Sequence, residues 1–294
     1  MPITVHVAPE SDPEVEAAVR AGGGEIAPLA DADALVWVDS NPDGFPSELP
    51  DGVRWVQLPS AGIERWLDRV DRERQWTTAS GAFGRPVAEH ALGLMLAGVR
   101  RLHEFARAKT WTRPLIGELA GATVALIGAG SIGRALIALL DPFDVEILAV
   151  TRRGRDDTIP IGRAAEVWPR ADFVVVAAPA TPATRHLIGA PELAAMRENA
   201  WLVNVARGAL VDTDALVEAL ARGAIAGAAL DVTDPEPLPD GHPLWDEPRA
   251  LITPHVANPD ATLMRDLAGL VRENVARLSA GEPLRSPVDL DAGY

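Results

Sequence analysis

The sequence predicts an α/β fold of two doubly wound parallel-sheet domains, and three observations carry that prediction. From residue 121 onward, short unbroken apolar runs alternate with amphipathic runs at helical spacing, the pattern of buried parallel strands joined by crossover helices. Between the first such pair stands Gly128-Ala129-Gly130-Ser131-Ile132-Gly133, a G-x-G-x-x-G turn at a strand-to-helix junction. A weaker form of the same alternation fills residues 1–85, without a glycine fingerprint.

From the N-terminus, Ile3–Val7 reads as a strand, Pro13–Ala21 as a helix, and Leu35–Val38, Trp55–Leu58 and Trp76–Thr78 as further strands of a smaller α/β domain. Pro86 opens a long apolar helix through about Leu102, an interdomain connection. The larger domain starts with Thr123–Ile127, apolar on both faces, and continues into a helix over Ser131–Leu140 whose Ile132, Leu136, Ile137, Leu139 and Leu140 recur at helical spacing. Val145–Val150, Asp172–Ala178, Trp201–Val205, Ala226–Asp231 and Leu251–Ile252 complete a set of six strands. Helices over Ala164–Trp168, Pro191–Arg197 and Asp214–Arg222 separate them, the last framed by Asp212 as N-cap and by Gly223 just past its end. The proline-rich piece Asp234–Pro239 reads as a rigid loop, and a final helix near Ala261–Leu278 returns to the first domain. The expected division is 1–88 with 267–294 for the smaller domain and 89–266 for the larger.

Composition excludes several functions. A net charge of −15, from 27 Lys and Arg against 42 Asp and Glu, argues against a nucleic-acid surface, which needs clustered cations. Lys109 is the sole lysine, so an anionic ligand must meet arginine, and Schiff-base chemistry has one candidate in a polar stretch. The absence of cysteine removes disulfides, thiolate zinc sites and cysteine nucleophiles. No histidine pair with ligand spacing occurs, so no metal is expected; no G-x-S-x-G elbow occurs either. The start, Met-Pro-Ile-Thr-Val-His-Val, lacks the parts of a signal peptide, and the most apolar helix, Val87–Val99, contains Glu89 and His90 and is too short to span a membrane. A cytoplasmic protein without a membrane partner is expected.

The glycine turn points to a dinucleotide. Gly128 makes the tight turn, Gly130 lets the backbone approach a pyrophosphate, Gly133 lets helix and strand pack closely, and the helix N-terminus faces the anion: a Rossmann-type arrangement. The alternative is a βα turn with no ligand. In an open parallel sheet, ligands bind at the carboxyl ends of strands. Arg207, Glu236 and His255 each follow a different strand there. An arginine, a carboxylate and an imidazole so placed suit proton-coupled hydride transfer, with a cation for a substrate carboxylate, an acid for a carbonyl oxygen and a carboxylate to hold the imidazole. Taken singly, each also reads as an ordinary surface or packing residue. His242, in a loop, and His90, on the connecting helix, lack that placement and read as structural; Trp168, Trp201 and Trp245 read as packing residues.

The motifs Gly-Ala-Gly-Ser-Ile-Gly at 128–133, Asn-Val-Ala-Arg-Gly-Ala-Leu-Val-Asp at 204–212, Ala-Leu-Asp-Val-Thr-Asp-Pro-Glu-Pro-Leu-Pro at 229–239 and Thr-Pro-His-Val-Ala at 253–257 closely resemble the D-isomer-specific 2-hydroxyacid dehydrogenase family, in its glyoxylate/hydroxypyruvate reductase-like branch. They occur in the family's order, with 29 residues from Arg207 to Glu236 and 19 from there to His255. Ser60-Ala61-Gly62 resembles the family's substrate-carboxylate loop, and Pro86-Val87-Ala88-Glu89-His90 the start of its interdomain helix.

The resemblance implies a flavodoxin-like smaller domain for substrate, and a small 2-oxoacid or 2-hydroxy acid as the ligand. Arg207 would bind its carboxylate and carbonyl oxygen, with backbone groups around Ser60, Ala61 and Gly62 completing that site; His255 would donate the proton during reduction and Glu236 would orient it. Gly128, Gly130, Ser131, Ile132, Gly133, Thr151, Arg152, Arg153 and Pro179 would line the dinucleotide, with Asp231 near the nicotinamide carboxamide. A homodimer through the cofactor domain is a further expectation. Formate dehydrogenases of the same superfamily typically carry glutamine at the Glu236 position, so the glutamate favours a hydroxy acid. One departure concerns the cofactor: NAD-dependent members usually have an acidic residue at the end of the second strand, whereas here it ends in Thr151-Arg152-Arg153, followed by Gly154 and Arg155. A carboxylate there would repel a 2′-phosphate and arginines attract it, which favours NADP over NAD, although Asp156 and Asp157 partly offset the charge. Loops near Asp39–Phe45 and Ser60–Gly62, with the interdomain helix, would line the specificity pocket without naming one 2-oxoacid. Some corepressors resemble this family and keep its polar triad, so a nucleotide-sensing protein without significant turnover is the alternative. A dehydrogenase for a non-carboxylate substrate would leave Arg207 without its ligand.

Overall fold

Two wholly parallel sheets organise the chain, whose computed structural model describes residues 2–155 and 157–291. They belong to two units, Met1–Phe83 with Asn258–Tyr294, and Gly84–Ala257. In the smaller unit β1 (Thr4–Ala8) is followed by α1 (Pro13–Ala21), β2 (Glu25–Ile26), β3 (Ala34–Trp37), β4 (Trp55–Gln57) and β5 (Gln75–Thr77). The strand order β2-β1-β3-β4-β5, all parallel, is the flavodoxin-like arrangement. The start of α1 is set by Asp12, whose carboxylate accepts the N–H groups of Glu14 and Val15 at 3.0 Å, ahead of Pro13 in the first turn. An aromatic core lies on one face of the sheet: Phe45 meets Trp37 edge-on at 5.1 Å and Trp66 at 5.5 Å between ring centroids.

The larger unit contains α2 (Gly84–Val99), α3 (Leu102–Arg107), β6 (Thr123–Ile127), α4 (Ser131–Leu140), β7 (Glu146–Thr151), β8 (Ile159–Pro160), β9 (Phe173–Val176), α5 (Ala190–Ala195), β10 (Trp201–Asn204), α6 (Thr213–Arg222), β11 (Gly227–Leu230), α7 (Pro243–Asp246) and β12 (Ala250–Ile252). The closing helix α8 (Asp260–Ala280) belongs to the smaller unit and packs on α1. The larger sheet runs β12-β11-β10-β9-β6-β7-β8, so the strand order reverses between β6 and β9, where a Rossmann-type sheet opens its binding crevice. Strands buried on both faces explain the unbroken apolar runs: all four residues of β9 are at most 1 % exposed.

The strand β6 and the helices α1 and α4 coincide with the predicted spans, and α6 starts one residue early, with Asp212 accepting the Ala215 N–H at 3.1 Å and Gly223 left-handed at its end. Other expectations need correction. The larger sheet has seven strands, because β8 adds a two-residue edge ending in a proline, too short to leave a periodic signal. The two-residue edge strand β2 went unpredicted for the same reason. The helix expected over 164–168 is a 3₁₀ run at Ile161–Glu166. The long helix expected from Pro86 to Leu102 breaks at Arg101, which turns left-handed (φ 54°) before α3. The division between the two units falls before Gly84 and after Ala257, which leaves α2 and α8 whole.

Candidate active site

At the strand-order reversal the chain leaves β6 through the glycine turn. Gly128 adopts φ +108°, and a Cβ on it would stand 2.6 Å from the Ala177 carbonyl oxygen, which follows β9. Gly133 lies so close to the strand exit that a Cβ would sit 2.2 Å from the Gly128 carbonyl oxygen. Gly130 differs: its φ is −73°, and a Cβ would meet no protein atom within 4 Å. The protein itself therefore does not need glycine at 130. No side chain caps α4, so its first-turn N–H groups, from Ser131, Ile132 and Gly133 onward, face this open space with the positive end of the helix dipole. An uncapped helix start beside a glycine with room above it fits a pyrophosphate. Pro179, exposed, lies beyond β9 on the other wall of the turn, its carbonyl accepting the Thr184 hydroxyl at 2.8 Å.

The end of β7 holds the next group of candidate residues. The Thr151 hydroxyl shares a 2.7 Å hydrogen bond with the Thr158 hydroxyl and accepts the Gly154 N–H at 3.2 Å, closing a turn that leaves Arg152 and Arg153 exposed. Among the described residues neither arginine forms an ion pair. Asp157 is exposed, and Asp156 lies outside the described residues. The donor set fits a ligand phosphate.

The three polar candidates emerge at the carboxyl ends of neighbouring strands, with Asn204 of β10 paired in register with Leu230 of β11 and Leu230 with Ile252 of β12. Asn204 is fully buried: its Oδ1 accepts the Ala206 N–H at 3.0 Å and its Nδ2 donates to the Arg207 carbonyl at 2.9 Å, folding the chain so that Arg207 passes the sheet edge. Gly208 follows by necessity, since a Cβ there would lie 1.8 Å from the Thr233 carbonyl oxygen. The Arg207 turn is thus pressed against the segment leading to Glu236. One guanidinium N–H of Arg207 donates to the Ala206 carbonyl at 2.7 Å.

Glu236 and His255 meet. His255 Nδ1 and Glu236 Oε1 are 2.6 Å apart, both side chains more than a third exposed. An ionised carboxylate only accepts, so Nδ1 carries the hydrogen and Nε2 is the nitrogen left for other chemistry. The His255 backbone is left-handed (φ 53°), uncommon for a residue other than glycine. Its N–H donates to the Asp231 carbonyl at 2.8 Å.

Asp231 is 2 % exposed. Its Oδ1 accepts the Thr253 hydroxyl at 2.6 Å and the Val256 N–H at 3.0 Å, and its Oδ2 the Ala257 N–H at 3.1 Å. His90 Nε2 stands 3.3 Å from Oδ1 and 3.0 Å from the Thr253 hydroxyl oxygen. Burial, the largest single influence, pushes the Asp231 carboxyl up; hydrogen bonds from His90, Thr253 and the two backbone groups outweigh it and hold it below the usual carboxylate range. Asp231 therefore anchors the loop that bears His255, and His90 joins that network. The sequence reading of His90 as merely structural overlooked this, because the packing of its helix on β10 and β11 leaves no local trace. Asn204 and Gly208 were likewise missed, although both flank Arg207. Trp245 is also corrected: 44 % exposed, it donates to the Pro239 carbonyl at 3.0 Å, whereas Trp168 and Trp201 are buried. His242 caps α7, its Nδ1 accepting the Leu244 N–H. In the smaller unit, Ser60 donates to the Gly62 carbonyl at 2.7 Å and accepts from the Trp66 indole at 3.2 Å, which shapes the Ser60-Ala61-Gly62 loop past β4.

Residues 92–257 match the family described as D-isomer specific 2-hydroxyacid dehydrogenase, NAD binding domain. A protein of Corynebacterium melassecola, described only as an uncharacterized protein in the proB 3′ region, is 41% identical, covering 96% of this chain and 97% of its own. Glyoxylate reductase of Thermofilum pendens is 39% identical over 70% of this chain and 65% of its own. Among solved structures, the NADPH-dependent glyoxylate/hydroxypyruvate reductase of Sinorhizobium meliloti in complex with NADP and sulfate is similar at a TM-score of 0.82 and 27% identity, covering 99% of this chain and 100% of that one.

Proposed function

The chain belongs to the D-isomer specific 2-hydroxyacid dehydrogenase family, and on that premise we propose that it reduces a small 2-oxoacid to the D-2-hydroxy acid. It is an oxidoreductase whose cofactor is NADP or NAD. The observation that carries the proposal is the 2.6 Å contact between His255 Nδ1 and Glu236 Oε1 at the carboxyl edge of the larger sheet.

When bound, the reduced dinucleotide supplies the hydride. Gly128, Gly130, Gly133 and the start of α4 would hold its pyrophosphate, and Thr151, Arg152 and Arg153 its adenosine ribose. Arg207 would bind the substrate carboxylate, where a guanidinium offers a planar pair of donors. His255 would hold a proton on Nε2 and pass it to the carbonyl oxygen as charge develops there. Glu236, accepting from Nδ1, would fix the ring so that Nε2 faces the substrate and would stabilise the ring when it is charged. In the oxidative direction the same nitrogen would take the hydroxyl proton.

Arg152 and Arg153, exposed directly after β7, support NADPH as the preferred donor. A homodimer is part of the proposal; it is supported by Trp111 and Leu115, 97% and 94% exposed, in a segment whose apolar side chains the chain itself leaves uncovered. No helix among the described residues is long and apolar enough to cross a membrane. Initial rates with a panel of 2-oxoacids, glyoxylate and hydroxypyruvate among them, under NADPH and then NADH, test the proposal. Turnover with at least one of them supports it, and a protein that binds the dinucleotide yet reduces none would refute it.

A further inference from the structure

We propose that His90, outside the set that touches substrate, is a positioning residue for His255, acting through Asp231 and Thr253. The inference rests on the reading of His255 as the proton donor only where it concerns rate; the placement itself is a separate claim with its own measurement.

Three observations converge on it. First, α2 carries its C-terminal part over the amino end of β10, where Gly98 lies against the Trp201 indole, while His90, two turns earlier, reaches the opposite edge of the sheet beside Asp231 and Thr253. Second, the polarity of the contact is fixed. Asp231 Oδ1 only accepts and the Thr253 hydroxyl already donates to it at 2.6 Å, so His90 Nε2 must carry a hydrogen directed at the pair. Third, the loop depends on Asp231 at three backbone points, two on its carboxylate and one on its carbonyl. The Asp231 side chain receives the N–H groups of Val256 and Ala257, and its carbonyl receives that of His255, which is left-handed. A non-glycine residue in that region persists only where its surroundings over-determine it.

The side chain of Asp231 is 1% exposed, and its other hydrogen bonds among the described residues come from neutral groups. His90 is the one partner there able to carry positive charge. Remove it, and a buried carboxylate loses a donor that water cannot replace while the carboxylate stays in place. The carboxylate relaxes by drawing in solvent or turning, and either movement releases Val256 and Ala257. The imidazole of His255, one residue earlier, then samples orientations in which Nε2 no longer faces its target. Misplacement by about 1 Å suffices to cost about a hundredfold in rate.

The test compares His90→Leu, His90→Gln, Thr253→Val and the double variant His90→Leu/Thr253→Val. The glutamine side chain can present an N–H near the position of Nε2; leucine cannot. Amide hydrogen exchange on the cofactor-free protein reads placement, and steady-state kinetics with NADPH and the best 2-oxoacid read its consequence. For His90→Leu we expect protection of the Val256 and Ala257 amides to fall at least tenfold while strand amides of β6 and β10 keep theirs. We also expect kcat to fall at least tenfold with KM and NADPH affinity within threefold, and His90→Gln to recover both measures to within threefold. Thr253→Val should add little once His90 is gone, because the two act through one carboxylate. Unchanged protection at Val256 and Ala257 would overturn the proposal, as would a uniform loss across the sheet or a kcat that survives the local loss. If the parent protein reduces no 2-oxoacid, the enzymatic reading fails, and the exchange data still decide whether His90 holds the loop.

Discussion

Replacing Gly130 with alanine separates what the fold asks of the glycine turn from what a ligand asks of it. A Cβ at 130 meets nothing within 4 Å, and the backbone is at negative φ, so the folded protein can accept it. Alanine restricts the unfolded chain, a gain of about 0.4–1 kcal/mol, and is a poorer N-cap than glycine, a loss of about the same size. The net change should stay within about 1 kcal/mol, or roughly 2–4 °C in Tm for a domain of this size. Dinucleotide binding should respond differently, because the methyl group fills the space through which the pyrophosphate would approach the N–H groups of α4. Loss of one hydrogen bond to a charged group, about 1.5–3 kcal/mol, weakens binding by about ten- to a hundredfold. Gly133→Ala supplies the contrast. Its Cβ would lie 2.2 Å from a backbone oxygen, so helix or turn must shift, at a cost of about 1–3 kcal/mol. Thermal unfolding of the cofactor-free variants and NADPH titration by fluorescence measure the two effects. Unaltered NADPH affinity in Gly130→Ala would refute the placement of the pyrophosphate, and a large drop in its Tm would refute the claim that the space is empty of protein.

Three further outcomes are expected. Arg152→Ala/Arg153→Ala should raise the KM for NADPH at least tenfold and leave that for NADH within twofold; equal use of both cofactors by the parent protein would remove the basis for NADPH preference. Arg207→Lys should lower kcat/KM by about a hundredfold or more with cofactor affinity nearly unchanged, since an ammonium cannot reproduce the planar fork; near-normal turnover would move the carboxylate anchor elsewhere. Asp231→Asn should lower Tm by several degrees at pH 7. Because the folded-state pKa of Asp231 lies below its unfolded value of about 3.9, its contribution is present above that value and lost as pH falls through the folded one. The gap in Tm between parent and variant should therefore narrow below about pH 4, and a gap independent of pH would show that the carboxylate charge contributes nothing.

What could be read from the sequence was what leaves a periodic or positional trace. The run Thr123–Ile127, the turn Gly128–Gly133 and the helix Ser131–Leu140 form one strand–turn–helix unit whose pattern decides its structure locally. Arg207, Glu236 and His255 lie past β10, β11 and β12, which was legible because in a parallel sheet chain order and strand ends determine which loops share an edge. The strands β2 and β8 escaped because two residues carry no period. His90 escaped for another reason: its partners Asp231 and Thr253 are 141 and 163 residues away in sequence, and helical spacing cannot say which of several polar residues on a helix faces a carboxylate. Gly208 shows the same limit, its need being set by the distant Thr233 carbonyl rather than by its own turn.

The central claim is that this chain transfers hydride to a 2-oxoacid with His255 supplying the proton to the carbonyl oxygen, on the stereochemical course of its family. Chiral analysis of the hydroxy acid formed from hydroxypyruvate, or from the best prochiral 2-oxoacid of the panel, tests it most directly when the parent and His255→Gln are run side by side with NADPH. The account predicts the D-isomer from the parent, and from the variant a rate lower by at least about a hundredfold with NADPH binding retained. An L-product, or undiminished turnover without the imidazole, would contradict it.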